Sequence, residues 1–255
     1  MSKYIRPVDF GRFEHIGYEY QHLYVGETCR VIGSSVAAGG AAPTQHTHEV
    51  DQLYYVVEGE IHVVLGSEEF VAGPDTLVYI PAGTPHHNWN ASDDVNEFHF
   101  EVLAPAPFAD APAWQLTDST DAGDRPYFVK TFGEPDGDGK GWGRTILIDK
   151  TDQCDSMFLY RATIPPGAAG PDLHVHRDYD QFYFILEGQL NVQLGLDEFV
   201  AEAGSLVVLP AGMPHRQWNA SDRPERHLSL ITPAPEPGVP GDIPVHFAEL
   251  ARDRN

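Results

Sequence analysis

Along most of the chain, apolar and polar residues alternate in short runs separated by turn residues, the pattern of strands with two unlike faces. In NEFHFEVLAP, Glu97, His99 and Glu101 alternate with Phe98, Phe100 and Val102. TLVYI, residues 76–80, reads as a short strand buried on both sides, and Glu58-Gly59 and Gly66-Ser67 read as hairpin turns into IHVVLG and EEFVAG. The stretch Gly40–Gly59 (GAAPTQHTHEVDQLYYVVEG) sets His46 and His48 at i and i+2 in an expected strand, so both point to one face, and Gln52 keeps that parity. Strands at such short, regular spacing predict an all-β fold of barrel or sandwich type.

The pattern occurs twice. DLHVHRDYDQFYFILEG, from Asp172 to Gly188, repeats the first stretch, and Gly204–Asn219 (GSLVVLPAGMPHRQWN) repeats Gly73–Asn90 (GPDTLVYIPAGTPHHNWN). His174, His176, Gln181 and Gly188 match His46, His48, Gln52 and Gly59, and His227 matches His99. One extra residue stands between His176 and Gln181, for which a local bulge is expected. Asp180 lies as far from His176 as Gln52 does from His48, but both copies read Asp-Gln before an aromatic strand, which favours Gln181 as the counterpart. The expected organisation is an N-terminal domain over 1–110, a connector rich in Pro, Ala and Asp over 111–126, and a C-terminal domain over 127–255. Residues 4–27 hold aromatic-rich strand pieces that lead into the first domain or cover its mouth; His15 and His22 in this arm carry no assignment.

Composition narrows the partners. Among 255 residues, 38 are acidic and 16 basic, a formal charge of −22 that repels nucleic acid and anionic membrane surfaces. An anionic substrate would need a local positive centre. The start, MSKYIRPVDFGR, has no apolar core of a signal peptide, and no apolar run reaches 18 residues, so a cytoplasmic protein is expected. Cys29 and Cys154 lack the spacing of a disulfide framework or a CxxC pair and read as buried thiols.

The recurring polar residues are His46, His48, Gln52 and His86 in one half and His174, His176, Gln181 and His215 in the other. Three neutral imidazoles and an amide oxygen suit a divalent transition metal, and four protein ligands leave coordination positions open for chemistry. The expected cofactor is one such ion per domain, from among Fe, Mn, Ni, Co, Zn and Cu.

On these residues the chain resembles a bicupin, two metal-binding cupin barrels in tandem. The first cupin motif, G(X)5HXH(X)3-4E(X)6G, is met by Gly40, His46, His48 and Gly59, with Gln52 where the family usually has Glu. The second, G(X)5-7PXG(X)2H(X)3N, is met by Gly73, Pro81, Gly83, His86 and Asn90, and in the other copy by Gly204, Pro210, Gly212, His215 and Asn219. The resemblance covers residues 28–105 and 156–233 and implies two double-stranded β-helix, or jelly-roll, barrels and often a homodimer. It is specific for fold and metal site and weak for reaction, because cupins include dioxygenases, isomerases, decarboxylases, lyases and storage proteins.

Gln in place of Glu leaves the full 2+ charge on the ion and removes a base. Cupins with three histidines and a glutamine resemble the bicupin isomerase of bacilysin biosynthesis, the uronate-ketonising cupins and the cupin hydroxynitrile lyases. The resemblance thus implies a non-oxidative isomerase, tautomerase or lyase acting on a small oxygenated substrate such as a 2-oxo acid, enol or hydroxycarbonyl. The alternatives are a mononuclear dioxygenase of the quercetinase or diketone-cleaving type and a non-enzymatic ligand-binding bicupin. Tyr54 and Tyr183, two residues beyond each Gln on the same face, can donate hydrogen bonds to substrate or serve as packing. His99 and His227 are general-base candidates if the polar face of their strand lines the barrel, and solvated surface residues if it does not.

Overall fold

The computed structural model describes residues 3–41, 44–107, 114–133, 142–236 and 241–245. The protein is almost entirely β, with two short 3-10 turns at Phe10–Arg12 and Lys150–Asp152 among the described residues. The chain forms two units. One comprises Val8–Glu134 and Leu147–Met157, and the other Met1–Pro7, Pro135–Ile146 and Phe158–Asn255.

Each unit is a barrel of two sheets with the same strand order. In the first unit one sheet runs Phe128–Thr131, Thr76–Ile80, Asp51–Glu58, Glu97–Ala104, Arg30–Val36, Tyr18–Val25, and the other Gln115–Leu116, His46–Thr47, His86–Trp89, Ile61–Leu65, Glu68–Ala72. In the second unit the corresponding sheets are Ile5–Pro7, Ser205–Leu209, Asp180–Glu187, Glu225–Thr232, Phe158–Ile164, Gly143–Ile148, and Ile243–Pro244, His174–Val175, His215–Trp218, Gln189–Leu194, Asp197–Glu202. The long central strands are buried along most of their length, because sheet partners and the opposite sheet cover them. The strand Ile61–Leu65 alternates buried and half-buried positions, as a strand with one solvated face should.

Between the sheets of the first unit lie Val36, Tyr54, Val56, Ile61, Val63, Leu65, Val78 and Ile80. Ile164, Tyr183, Ile185, Leu190, Val192, Leu194, Val207 and Leu209 take the same places in the second. The repeated hairpin glycines are required by geometry. Gly59 and Gly188 both have φ +75°, and a Cβ there would lie 2.6 Å from Asn96 O and 2.4 Å from Pro224 O.

Several segments go where the sequence pattern does not point. The arm divides: Tyr18–Val25 extends a sheet of the first unit, whereas Ile5–Pro7 pairs with Ser205–Leu209 in the second. Residues 114–126 lie along the first barrel, with Gln115–Leu116 paired to His46–Thr47 and Arg125 bonded to Asp51. The extra residue near Gln181 is taken up in the turn between His174–Val175 and Asp180–Glu187, not by the expected bulge within a strand. A turn absorbs an added residue without flipping the faces of the strand that follows.

Candidate metal centres

The strands His46–Thr47 and His86–Trp89 are neighbours, with His46 opposite His86, and His174 is likewise opposite His215. This register brings three imidazoles together in each barrel. The ring centroids of His46, His48 and His86 lie 4.4–5.2 Å apart, and those of His174, His176 and His215 lie 4.5–5.0 Å apart. In both clusters one ligand atom from each residue falls within 4.8 Å of the others, and all six residues are buried.

Backbone carbonyls set the tautomers. His46 Nδ1 donates to Thr44 O over 3.0 Å and His86 Nδ1 to Thr84 O over 2.9 Å; His174 and His215 donate to Asp172 O and Met213 O over 2.8 and 3.0 Å. A carbonyl only accepts, so the proton is on Nδ1 and Nε2 presents a lone pair. Burial, then the neighbouring imidazoles, holds His86 far below the usual histidine range, and burial brings His215 down to about 3. Burial likewise lowers His46. Neutral imidazoles are the form that binds a metal.

Gln52 is buried in the first unit. Its Nε2 donates to Glu101 Oε1 over 2.7 Å, which fixes the amide orientation, and its buried Oε1 has no hydrogen-bond partner. His86 Nε2 is buried and has no hydrogen-bond partner as well. In the second cluster Gln181 Nε2 donates to Ser229 Oγ over 2.8 Å, while its Oε1 lies 3.1 Å from His215 Nε2. Two acceptors aimed at one another with no hydrogen between them are relieved by a cation. The donor set and its orphaned acceptors therefore fit a divalent transition metal in each barrel. Asp180 instead accepts from Ala211 N over 2.9 Å, as Asp51 accepts from Ala82 N over 2.9 Å, so the two aspartates anchor equivalent loops.

The sequence profile of the cupin domain matches residues 34–102 and 160–231. The chain belongs to the cupin family. The two matched regions make it a bicupin, and among the solved structures it resembles are those of Bacillus subtilis oxalate decarboxylase. One variant of that enzyme superposes with a TM-score of 0.68 at 19% identity, over 92% of this chain and 78% of that one. The structure from a study of the Mn(II) centres of the same enzyme gives 0.65 at 16% identity, over 94% and 81%. Among curated proteins, the polyketide synthase CurC of Streptomyces cyaneus is 32% identical over 108 residues, 41% of this chain and 70% of the relative. An uncharacterized protein of Streptomyces coelicolor is 30% identical over 64 residues, 25% of this chain and 61% of the relative.

The polar face of the last long strand of each cupin barrel turns inward. His99 and His227 are fully buried. Their Nδ1 atoms donate to carboxylates two residues back, His99 to Glu97 over 3.0 Å and His227 to Glu225 over 2.9 Å. Burial works against a charge on His99, but Glu97 and Glu101 more than reverse it and raise its pKa. His99 Nε2 is 3.9 Å from Glu101 Oε2. Tyr54 packs on His99 with ring centroids 4.7 Å apart, and Tyr183 on His227 at 4.8 Å. Burial pushes both phenols far above their usual pKa, so they stay protonated.

Sequence reasoning missed four residues around the centres. Glu97 and Glu225 carried a readable signal, a Glu-x-His that recurs in both copies. Glu101 does not recur; its counterpart is Ser229. Asp242, whose Oδ1 lies 2.9 Å from His176 Nε2, comes from the Pro-rich tail, where nothing in the pattern marks it.

Proposed function

We propose that each barrel binds one divalent transition-metal ion, through His46, His48, Gln52 and His86 in one and His174, His176, Gln181 and His215 in the other. On this reading the protein is a metal-dependent enzyme, a non-oxidative isomerase, tautomerase or lyase working on a small oxygenated substrate such as a 2-oxo acid, enol or hydroxycarbonyl. The observation that carries it is the pair of acceptors at Gln52 Oε1 and His86 Nε2, buried and without a hydrogen to accept. The decarboxylase named in the structural neighbours is a lyase acting on a small dicarboxylate, which supports the substrate class.

When bound, the ion supplies Lewis-acid stabilisation of negative charge on substrate oxygens. The protein's own part is to keep the site neutral and dry. An amide ligand leaves the charge of the ion undiminished, and the Nδ1 bonds to Thr44 O and Thr84 O hold the imidazole planes in place. Glu101 stays behind Gln52, saturated by Gln52 Nε2, Tyr18 OH and Ser34 Oγ. Tyr54 and His99, and Tyr183 and His227, are the groups in this reading that hold a proton inside each barrel.

Turnover of a panel of 2-oxo acids, enols and hydroxycarbonyls, metal-loaded and with oxygen excluded, tests the reading. The expected result is product formation that does not need oxygen and that chelation abolishes. Turnover only in the presence of oxygen would instead make it a dioxygenase. Absence of both metal and turnover would leave a ligand-binding bicupin.

A further inference from the structure

The two centres differ in where they keep a carboxylate. A strand returns over the HxH strand in each unit: Gln115–Leu116 places Leu116 opposite His46, and Ile243–Pro244 places Pro244 opposite His174. Trp114 and Asp242 therefore hold the same position, two residues ahead of the one paired with the first histidine. In the first unit that position presents an indole whose ring centroid is 5.6 Å from that of His46. In the second it presents Asp242 Oδ1, 2.9 Å from His176 Nε2 and 4.0 Å from His174 Nε2.

On the other side of the ligand set the difference is reversed. Beneath Gln52 lies the carboxylate of Glu101, whereas beneath Gln181 lies the hydroxyl of Ser229. Among the described residues, each centre thus has an acid within a bond of a ligand. Glu101 is buried behind the amide and engaged by Gln52, Tyr18 and Ser34. Asp242 stands on the histidines themselves. His174 turns a lone pair, not a hydrogen, toward it, because its Nδ1 proton is given to Asp172 O. A carboxylate facing an imidazole lone pair is an arrangement that a shared cation satisfies.

We propose that Asp242 is a metal ligand of the second centre, an anionic oxygen delivered by the returning strand to the face that the first centre leaves to substrate. The inference rests on the reading that each barrel holds an ion. It assigns unlike tasks to the two halves. The second centre, with an added negative ligand, holds its ion tightly and admits exogenous anions poorly, and the first, roofed by Trp114, keeps positions open.

The test uses the full chain with His46→Ala and His86→Ala, so that only the second centre remains, titrated with Co(II) and followed by its visible absorption. With Asp242 intact, one equivalent is expected to bind. Asp242→Asn in this background is expected to weaken binding about tenfold or more and to change the band intensity that reports coordination, and Asp242→Glu to restore much of both. In the mirror background, His174→Ala with His215→Ala, Asp242→Asn should leave Co(II) binding unchanged. Equal melting temperatures of the metal-free parent and variant would show that the fold survives. Unchanged affinity and spectrum in Asp242→Asn would overturn the inference while leaving the metal centres standing. Weaker binding with an unchanged spectrum would make Asp242 a hydrogen-bond partner of His176 and also overturn it. No Co(II) binding in either background with Asp242 intact would remove the metal reading itself.

Discussion

Gln52 gives an Nε2 hydrogen to Glu101 across 2.7 Å, and this one bond decides which end of the amide faces the histidines. Glu101 is held in turn by Tyr18 OH at 3.0 Å and Ser34 Oγ at 2.9 Å. Glu101→Ala takes the acceptor from two buried donors, Gln52 Nε2 and Ser34 Oγ, while Tyr18 OH keeps Ser34 Oγ at 3.1 Å; the cost is about 1–3 kcal/mol per unsatisfied group, and the amide is freed to rotate. The expected outcome is a lower melting temperature and an affinity of the first centre for Co(II) reduced about 10–100-fold. Ser229→Ala, which removes only a hydroxyl beneath Gln181, should affect the second centre less. Titrations with the opposite centre removed measure both, and equal effects would contradict the role given to Glu101.

Asp51 gathers a polar knot in the first unit. Arg125 reaches its two oxygens at 2.6 and 2.9 Å, Ser156 Oγ donates over 2.6 Å and Ala82 N over 2.9 Å. Burial alone would raise its pKa, but these bonds outweigh burial and lower it. A carboxyl lowered in the folded state adds stability that is fully present above its unfolded pKa, about 4, and is lost as pH falls through the folded value. Melting temperature should therefore drop as pH goes below about 4, and the drop should be smaller in Asp51→Asn. A parallel pH dependence in protein and variant would count against this.

Glu97 and His99 form a buried pair, and removing one member strands the other. His99→Leu leaves an unpaired buried carboxylate and should cost about 3–5 kcal/mol, whereas Glu97→Leu with His99→Leu should cost less than that single change. Chemical denaturation of the two variants gives the comparison. A double variant less stable than His99→Leu would mean that the pair is held for packing shape and not for charge.

The histidine clusters were legible because parity on a strand and the offset between copies, 128 residues at the HxH pair and 129 at His86, are properties of local sequence. His46, His48 and His86 had no other common face to occupy. Whether His99 pointed in or out was not legible, since alternation marks two faces without saying which is covered; its burial against Tyr54, itself part of the core between the sheets, shows that it points in. Ile5–Pro7, Trp114 and Asp242 could not be read at all. They belong to pairings of two or three residues that close over long separations, too short to leave a period, and they lie in segments that do not repeat. The parts that make the halves alike were written in the repeat, and the parts that make them differ lay outside it or, like Glu101 and Ser229, at an aligned position whose residue did not recur.

The central claim is one ion per barrel on three histidines and a glutamine, and metal content per chain tests it most directly. Elemental analysis after reconstitution with a divalent transition metal should give close to two equivalents for the intact protein and close to one for His86→Ala. No bound metal after reconstitution, or two equivalents retained by His86→Ala, would contradict it.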